Sequence, residues 1–537
     1  MDEAAGQTQP GAEGRPAESG GTAHRVLTNT ISNWVGIAVQ ILSNMYLMYY
    51  VFKAFKVAHP ASFTEVFGVF RLSAPFYIVV SALSFGMAGS VIRLAGESLA
   101  TKNLKRLTET MSVARTMLLG AGVVGVALVS VLSSFLLEPL KVPEAYWPAA
   151  IVLFRLTALA AAFQLMHMLF RGLLQAKQRY DLANGAIIAE AVVRVGLVVT
   201  CFKLGWIGLE TLGVGMAGGA LCGLLVLRIM TRRILPELKM SFRRMSRSAF
   251  QDIFSFGMWT TVNMASRYGL DMVGTPLVSA VAGSGAAGMF NIPQTFASYG
   301  MGIVGGLTHT LWPVATGMAA RGERDKLGRL YLVGTRLALM IIAPVVAVLV
   351  THGKPFIVYY TSPEMEPVYG VMLVYIGLTF PTVIGLSAEH IILGSGRIVG
   401  VSISRLVATV LGVGLAVAVA LWTPWGLPEM AAALMFPAAV RGAVVLPMVM
   451  RRQVGIGYWH MLVSSVFPAT LALVLLLAAG WAIQWLWPPT DLTTCFVQMA
   501  LTAVLYGAVA WFVVLRSEEK TWMWNMVRLR RAGFRAP

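Results

Sequence analysis

Eight ionisable side chains stand inside runs of apolar sequence that would ordinarily exclude them. Arg71, Arg155, Arg194, Arg267 and Arg441 are the basic set, and Glu190, Asp271 and Glu389 the acidic set. A charge at the centre of a membrane-crossing helix costs about 2.5–3.5 kcal/mol on insertion scales, so each one needs a partner or a wet cavity. Five guanidiniums against three carboxylates leave a positive remainder suited to an anion. A pyrophosphate is such an anion, because its oxygens match the bidentate fork of a guanidinium. These five arginines are therefore the candidate pyrophosphate-binding residues, and the three carboxylates the candidate ion-coupling residues. Glu190 and Arg194 are four apart, as are Arg267 and Asp271, which sets each pair on one helix face. Two readings of these pairs stay open. Each pair neutralises itself and does nothing more, or substrate phosphate competes for the arginine and frees the carboxylate to take up H+ or Na+. Arg71 and Arg155 have no acid on their own helix, and snorkelling to the membrane surface is the plain alternative for Arg155. Arg441 lies deep and locally unpaired, with Glu389 or another helix's carbonyls as prospective partners.

Other chemistry is sparse. His167, His309 and His390 are single histidines in apolar spans with no second ligand at helical spacing, which favours hydrogen-bonded packing over a metal. Cys201, Cys222 and Cys495 also sit in apolar runs without metal-ligand spacing. Gly283, Gly285 and Gly288 spell GxGxxG, yet no strand precedes them and no βαβ unit surrounds them, so the match carries nothing. No P-loop, nucleophile elbow or HExxH occurs, and no outer loop is long enough for a catalytic domain. Catalytic residues, metals and cofactors are therefore not expected.

The elements that must position these charges follow from composition. Of the 537 residues, 57% are apolar and 12% charged, against about 25% charged in soluble chains. A large soluble enzyme and a mostly disordered chain are both excluded. A bilayer core needs about 20 apolar residues of helix. Such runs fall at 31–52, 66–92, 111–137, 148–171, 183–204, 206–230, 251–278, 289–314, 329–352, 367–393, 398–422, 427–450, 461–487 and 493–515. Fourteen spans put both termini on one side. Thirty-two of the 42 Lys and Arg, span edges included, fall on that side and five on the other, which places both termini in the cytoplasm. The net charge of +18 is thus mostly an orientation signal. It is no nucleic-acid patch, although the loop from Arg232 to Arg247 and the basic tail could touch anionic lipid heads.

The two halves echo each other at an offset near 220 residues: Ala95, Ala100 and Leu107 align with Ala315, Ala320 and Leu327, and Arg232-Arg233 with Arg451-Arg452. Six spans per repeat give two parallel six-helix lobes, with a substrate site between them near the bilayer midplane. The expected layout is an all-α polytopic membrane protein of about 14 transmembrane helices. It divides into a disordered tail (1–24), an N-lobe (25–235), a basic linker (236–250), a C-lobe (251–452), two added spans (453–515) and a basic interfacial tail (516–537). Gly215-Gly219-Gly223 and Gly302-Gly306 are expected to permit close helix packing, and Pro75, Pro293 and Pro381 to kink their spans.

The stretches FGMAGSVIRLAGESLATKNLKRL, RGLLQAKQRYDLANG and FSFGMWTTVNMASRYGLDMVGTPLVSAVAGSGAAGMFNIPQ resemble the polysaccharide-transporter branch, the Wzx-like oligosaccharide flippases, of the multidrug/oligosaccharidyl-lipid/polysaccharide exporter superfamily. WPVATGMAARGERDKLGRL and ILGSGR are similar to later loops of that branch, so the resemblance runs from about residue 25 to 515. It implies two V-packed lobes around a central cavity, with Arg71 on a cavity-lining span. It also implies flipping of undecaprenyl-pyrophosphate-linked sugars across the bacterial inner membrane, with membrane lipids and polysaccharide-assembly proteins as partners. Span one departs from the drug-exporting branch, carrying Asn33, Gln40 and Asn44 in place of an acid. A peptidoglycan lipid II flippase and a cation-coupled multidrug antiporter are the alternatives.

Overall fold

In a computed structural model of the chain, residues 19–84, 87–422 and 426–515, with 517 and 520, are described. Side chains before residue 32, at 252, 254–268 and 271, and at a few single positions lie outside that description. The terminal tails expected at 1–24 and 516–537 fall almost wholly outside it as well. Among the described residues every regular element is helical.

α1 (Ser19–Ala58) begins within the segment read as a tail and crosses the molecule once. The second expected span is divided into α2 (Phe63–Arg71), α3 (Ser73–Ala82) and α4 (Met87–Ala100). Pro75 explains the first break. It has no N–H to return to the Arg71 carbonyl four residues back, so the ladder opens at Leu72. α5 (Leu104–Phe135) starts where the Asn103 side chain accepts from the Arg106 amide. α6 (Trp147–Ala176), α7 (Tyr180–Lys203) and α8 (Leu209–Ile234) complete the first lobe. α7 and α8 lie very close because Gly215, Gly219 and Gly223 face the contact. A Cβ on Gly219 would stand 2.9 Å from the Glu190 carbonyl oxygen, and one on Gly223 would stand 2.7 Å from the His167 ring.

The second lobe comprises α9 (Arg247–Ala282), α10 (Ser284–Ala320), α11 (Arg324–Tyr360), α12 (Val368–Ile384), α13 (Leu386–Gly394), α14 (Ile398–Trp422), α15 (Leu427–Val440) and α16 (Leu446–Val454). Pro381 precedes the α12/α13 break at Gly385 by one turn, whereas α10 runs unbroken through Pro293. α17 (Tyr458–Met461), α18 (Phe467–Leu486) and α19 (Leu492–Val509) follow, with α18 and α19 packed on α11.

Two π-turns, Arg441–Val445 and Leu462–Val466, have a visible cause. Pro447 and Pro468 each leave the carbonyl four residues back without its helical donor. Tyr458 Oη donates to the Ala443 carbonyl at 3.0 Å, and Arg336 Nη1 to the Ser464 carbonyl at 3.3 Å. Side chains from elsewhere thus satisfy what proline took away.

Among the described residues, twelve helices are long and apolar enough to cross a membrane. They coincide with twelve of the fourteen expected spans. The other two expected spans lie on α9 and α10, which are 36 and 37 residues long. Of α9 only Met272–Ala282 registers as a shorter apolar helix, and α10 is interrupted by Asn291, Gln294 and Thr295.

The lobes meet where α2 crosses α10. A Cβ on Gly68 would lie 1.7 Å from the Ser284 carbonyl oxygen, and one on Gly288 would lie 2.9 Å from Gly68 Cα. Gly68 and Gly288 stand at the offset of the sequence repeat, as do the bonded residues Arg71 and Asn291, which are 220 apart. Equivalent residues touch each other when a two-fold axis passes through the contact. The crossing therefore lies on the pseudo-symmetry axis of the two lobes.

Candidate functional site

The crossing lies at the end of the bundle away from the termini, since α1 reaches it on its way out and α10 leaves it on its way back. Other contacts close the same end. Lys56 pairs with Glu364 at 3.5 Å, Lys141 Nζ donates to the Val281 carbonyl at 2.7 Å, and Ser279 Oγ to the Leu140 carbonyl at 2.5 Å. Along one edge α9 also packs against α3 and α4. Beneath the closure a cavity of about 720 Å³ opens inside the first lobe, bounded on one side by α10.

Polar stripes on the helices build its wall. α1 contributes Asn33 and Gln40, and α6 contributes Gln164, Arg171 and Gln175. Asn33, Gln40 and Asn44 repeat the spacing i, i+7, i+11, and so do Gln164, Arg171 and Gln175, which keeps each stripe on one helix face. α7 adds Asn184, Glu190 and Arg194, α2 adds Arg71, and α10 adds His309. Among the described residues, three guanidiniums face this cavity with one carboxylate.

Glu190 and Arg194 turn to different neighbours. Gln164 Nε2 donates to Glu190 Oε1 at 2.7 Å, and His167 Nδ1 lies 3.5 Å from Glu190 Oε2. His167 Nε2 is 2.7 Å from the Ala220 carbonyl oxygen. Arg194 Nη2 donates to Asn44 Oδ1 at 2.6 Å. Arg71 Nε donates to Asn291 Oδ1, and its Nη2 donates to Thr295 Oγ1 at 2.7 Å, tying the lobes together at the cavity roof. The buried Nε of Arg171 and that of Arg194 have no hydrogen-bond partner among the described residues.

The second lobe holds a smaller cavity, about 350 Å³, with a different economy of charge. Glu389 is shared between two arginines. Arg441 Nη2 donates to it at 2.9 Å, and Arg405 binds its other oxygen. Arg441 also donates from Nε to Ser404 Oγ at 3.0 Å. His390 Nε2 lies 3.2 Å from His309 Nδ1, and His309 borders both cavities.

Arg71 and Arg194 therefore share the larger cavity with Glu190, and Arg441 shares the smaller one with Glu389. Arg155 is exposed on α6, outside both cavities, with its Nη2 3.5 Å from the Ser130 carbonyl oxygen. The Arg267 and Asp271 side chains lie outside the described residues. Two cavity arginines, Arg171 and Arg405, belong to the basic residues that orientation counting assigned to the termini side. For Arg171 the polar stripe along α6 was the available signal. The Gly302-Gly306 ridge opens onto the cavities, with nothing within 4 Å of a Cβ on Gly302, where close packing was expected.

Residues 35–318 match a family model described as polysaccharide biosynthesis protein. A search of curated proteins returned no match. An inward-facing multidrug-resistance MATE-family transporter of the MOP superfamily is similar at TM-score 0.64 and 16% identity, over 78% of this chain and 98% of that one. An outward-facing transporter of the same kind reaches TM-score 0.58 at 15% identity, over 81% and 97% of the two chains. A MOP-superfamily transporter from Pyrococcus furiosus, described as having a binding pocket of reverse polarity that suggests a different function, reaches 0.59 at 17% identity, over 80% and 96%. At these identities the likeness is one of fold.

Proposed function

This chain belongs to the polysaccharide biosynthesis protein family, and from that premise we propose that it is a flippase for an undecaprenyl-pyrophosphate-linked oligosaccharide. The larger cavity carries the proposal, because among the described residues it sets Arg71, Arg171 and Arg194 against Glu190 alone. A net excess of two positive charges suits a pyrophosphate, and the surrounding Asn and Gln side chains suit the hydroxyls of a glycan. The prenyl tail stays in lipid. A cation antiporter would want the opposite sign of charge in this cavity.

Transport runs by alternating access, with the lobes rocking about the Gly68–Gly288 crossing. Closure at the end away from the termini supports a state that loads from the termini side. The excess of Lys and Arg there supports the cytoplasm as that side and the inner membrane as the location. Glu190, held by Gln164 and beside His167 rather than paired with a cavity arginine, is the carboxylate through which H+ or Na+ would couple.

The test is translocation of a fluorescent undecaprenyl-pyrophosphate-linked sugar in proteoliposomes. The variant Arg171→Gln/Arg194→Gln should fold and lose translocation. Wild-type rates in that variant, or equal translocation of a prenyl-linked sugar without phosphate, would overturn the assignment.

A further inference from the structure

A second cavity of the first lobe, about 740 Å³, opens on its outer side between α5, α6, α8 and the linker that follows α8. Its rim carries Arg115, Arg228, Arg232 and Lys239, and among the described residues no Asp or Glu lines it. Its floor is apolar, with Phe170 from α6 and Leu221 and Leu225 from α8. Leu221 and Leu225 are 40% and 48% exposed, so the floor continues onto the lipid-facing surface.

The rim cations differ in how far their hydrogen bonds are used. Arg115 Nη1 donates to the Met240 carbonyl at 3.1 Å, and its guanidinium carbon lies 4.9 Å from the Phe242 ring centroid. The linker is thereby folded over the opening, yet Arg115 Nε remains buried without a partner. The side chains of Arg228, Arg232 and Lys239 make no hydrogen bond or ion pair among the described residues.

This cavity is separate from the transport cavity. Gln164 and Arg171 face the latter from α6, while Met166 and Phe170 face the outer cavity from the opposite side of that helix. α8 is divided in the same way, with Met216 and Ala220 turned inward and Leu221, Leu225, Arg228 and Arg232 turned outward. At 100° per residue these sets lie on different faces, and the two cavities share no lining residue.

We propose that the outer cavity is a binding site for one anionic phospholipid of the surrounding bilayer. The headgroup phosphate sits among Arg115, Arg228, Arg232 and Lys239, and an acyl chain lies on Phe170, Leu221 and Leu225. Four cations without a carboxylate supply the charge complementarity, and the exposed leucines lead into the hydrocarbon region. The occupant belongs to the bilayer, because the floor continues onto the lipid-facing surface and the lining has no residue in common with the transport cavity. Guanidiniums at the membrane surface bind lipid phosphate more strongly than each would bind it in water.

The test uses the full chain, purified in detergent and titrated with phosphatidylglycerol or phosphatidylcholine, with binding read by native mass spectrometry. One phosphatidylglycerol should bind in preference to phosphatidylcholine. Arg228→Gln/Arg232→Gln should weaken that binding about thirtyfold, the loss expected for two cationic contacts to lipid phosphate. Arg451→Gln/Arg452→Gln, a basic pair of the other lobe, should leave it unchanged, and thermal unfolding of both variants checks that they fold. Arg228→Lys/Arg232→Lys should keep most of the affinity. Equal binding of the two lipids, or undiminished phosphatidylglycerol binding by Arg228→Gln/Arg232→Gln, would overturn the proposal. Displacement of phosphatidylglycerol by an equimolar undecaprenyl pyrophosphate would also overturn it, by making the cavity a cargo site. Displacement by millimolar inorganic phosphate would remove the role of the acyl floor and overturn it equally.

Discussion

The two inner cavities carry the same sign of charge and use it in opposite ways. In the second lobe Arg441 spends its donors on Glu389, Ser404 and the Val401 carbonyl, and Arg405 spends its own on the same carboxylate. In the first lobe Arg194 is held by an amide and Arg171 by no hydrogen bond among the described residues, and each keeps a buried Nε unused. A guanidinium has five N–H donors, so what it can still offer depends on what it already holds. The comparison teaches that a positive excess alone does not mark a ligand site. Unspent donors facing a cavity do. The second lobe's cluster is accordingly a packed ionic joint, and the first lobe's is a receptor.

The largest effect should come from breaking the joint. Glu389→Ala would strand the buried Arg441 and the part-buried Arg405, and losing one partner of a buried ion pair costs about 3–5 kcal/mol. A large fall in the midpoint of thermal unfolding in detergent is expected, with Glu389→Gln falling less because it retains an acceptor. A Glu389→Ala protein as stable as wild type would erase the distinction between the cavities.

The receptor should answer in the opposite manner. Arg171→Ala/Arg194→Ala removes charges that little in the protein depends on, so the unfolding midpoint should stay near wild type. Each hydrogen bond to a charged group is worth about 1.5–3 kcal/mol, which converts to roughly a 10- to 100-fold loss of lipid-linked-sugar translocation per arginine. Loss of stability without loss of translocation would reverse the roles of the two lobes.

The seam between the lobes should give a smaller and different response. Gly68→Ala puts a methyl where the Ser284 carbonyl oxygen now sits, so the closed end must open or shift. A cysteine introduced at Gln40, in a background without Cys201, Cys222 and Cys495, should change its rate of labelling from the far side several-fold. Unchanged labelling would mean that the crossing is not the closure. Gly288→Ala should act alike, since the two glycines are equivalents across the pseudo-axis.

Sequence reading reached twelve spans and the buried Arg441 and Glu389 because both are matters of composition: apolar runs fix where helices cross, and arginine inside such a run is improbable without a reason. It was less able to say which way a charge faces. Arg155 is grouped with Arg71 because neither has an acid on its own helix and both lie within about two turns of a span's outer edge, yet Arg155 is exposed on α6 and Arg71 is bonded into the seam. Arg171 lies at a span end and Arg405 about two turns inside one, and counting assigns both to the termini side while rotation about the helix turns them into cavities. The stripe Gln164, Arg171, Gln175 was legible at its spacing. The sharing of Glu389 by Arg405 and Arg441 was not, since it depends on how three helices are placed.

The smallest effect sharpens the claim that the second lobe is a joint built for position. Arg441 opens a π-turn, and that turn exists because Pro447 cannot bond the Ala443 carbonyl. Tyr458 supplies the missing donor from the next helix at 3.0 Å. Tyr458→Phe deletes only this hydroxyl and leaves the carbonyl unsatisfied. Hydrogen bonds between membrane helices average about 0.6 kcal/mol, so the unfolding midpoint should fall slightly. If the hydroxyl also serves to aim Arg441, Tyr458→Phe combined with Arg441→Gln should cost less than the sum of the two single changes, because both act on one turn. Strict additivity would mean that the turn is held by packing alone, with Gly442 seated against the Thr382 and Pro381 backbone as its anchor.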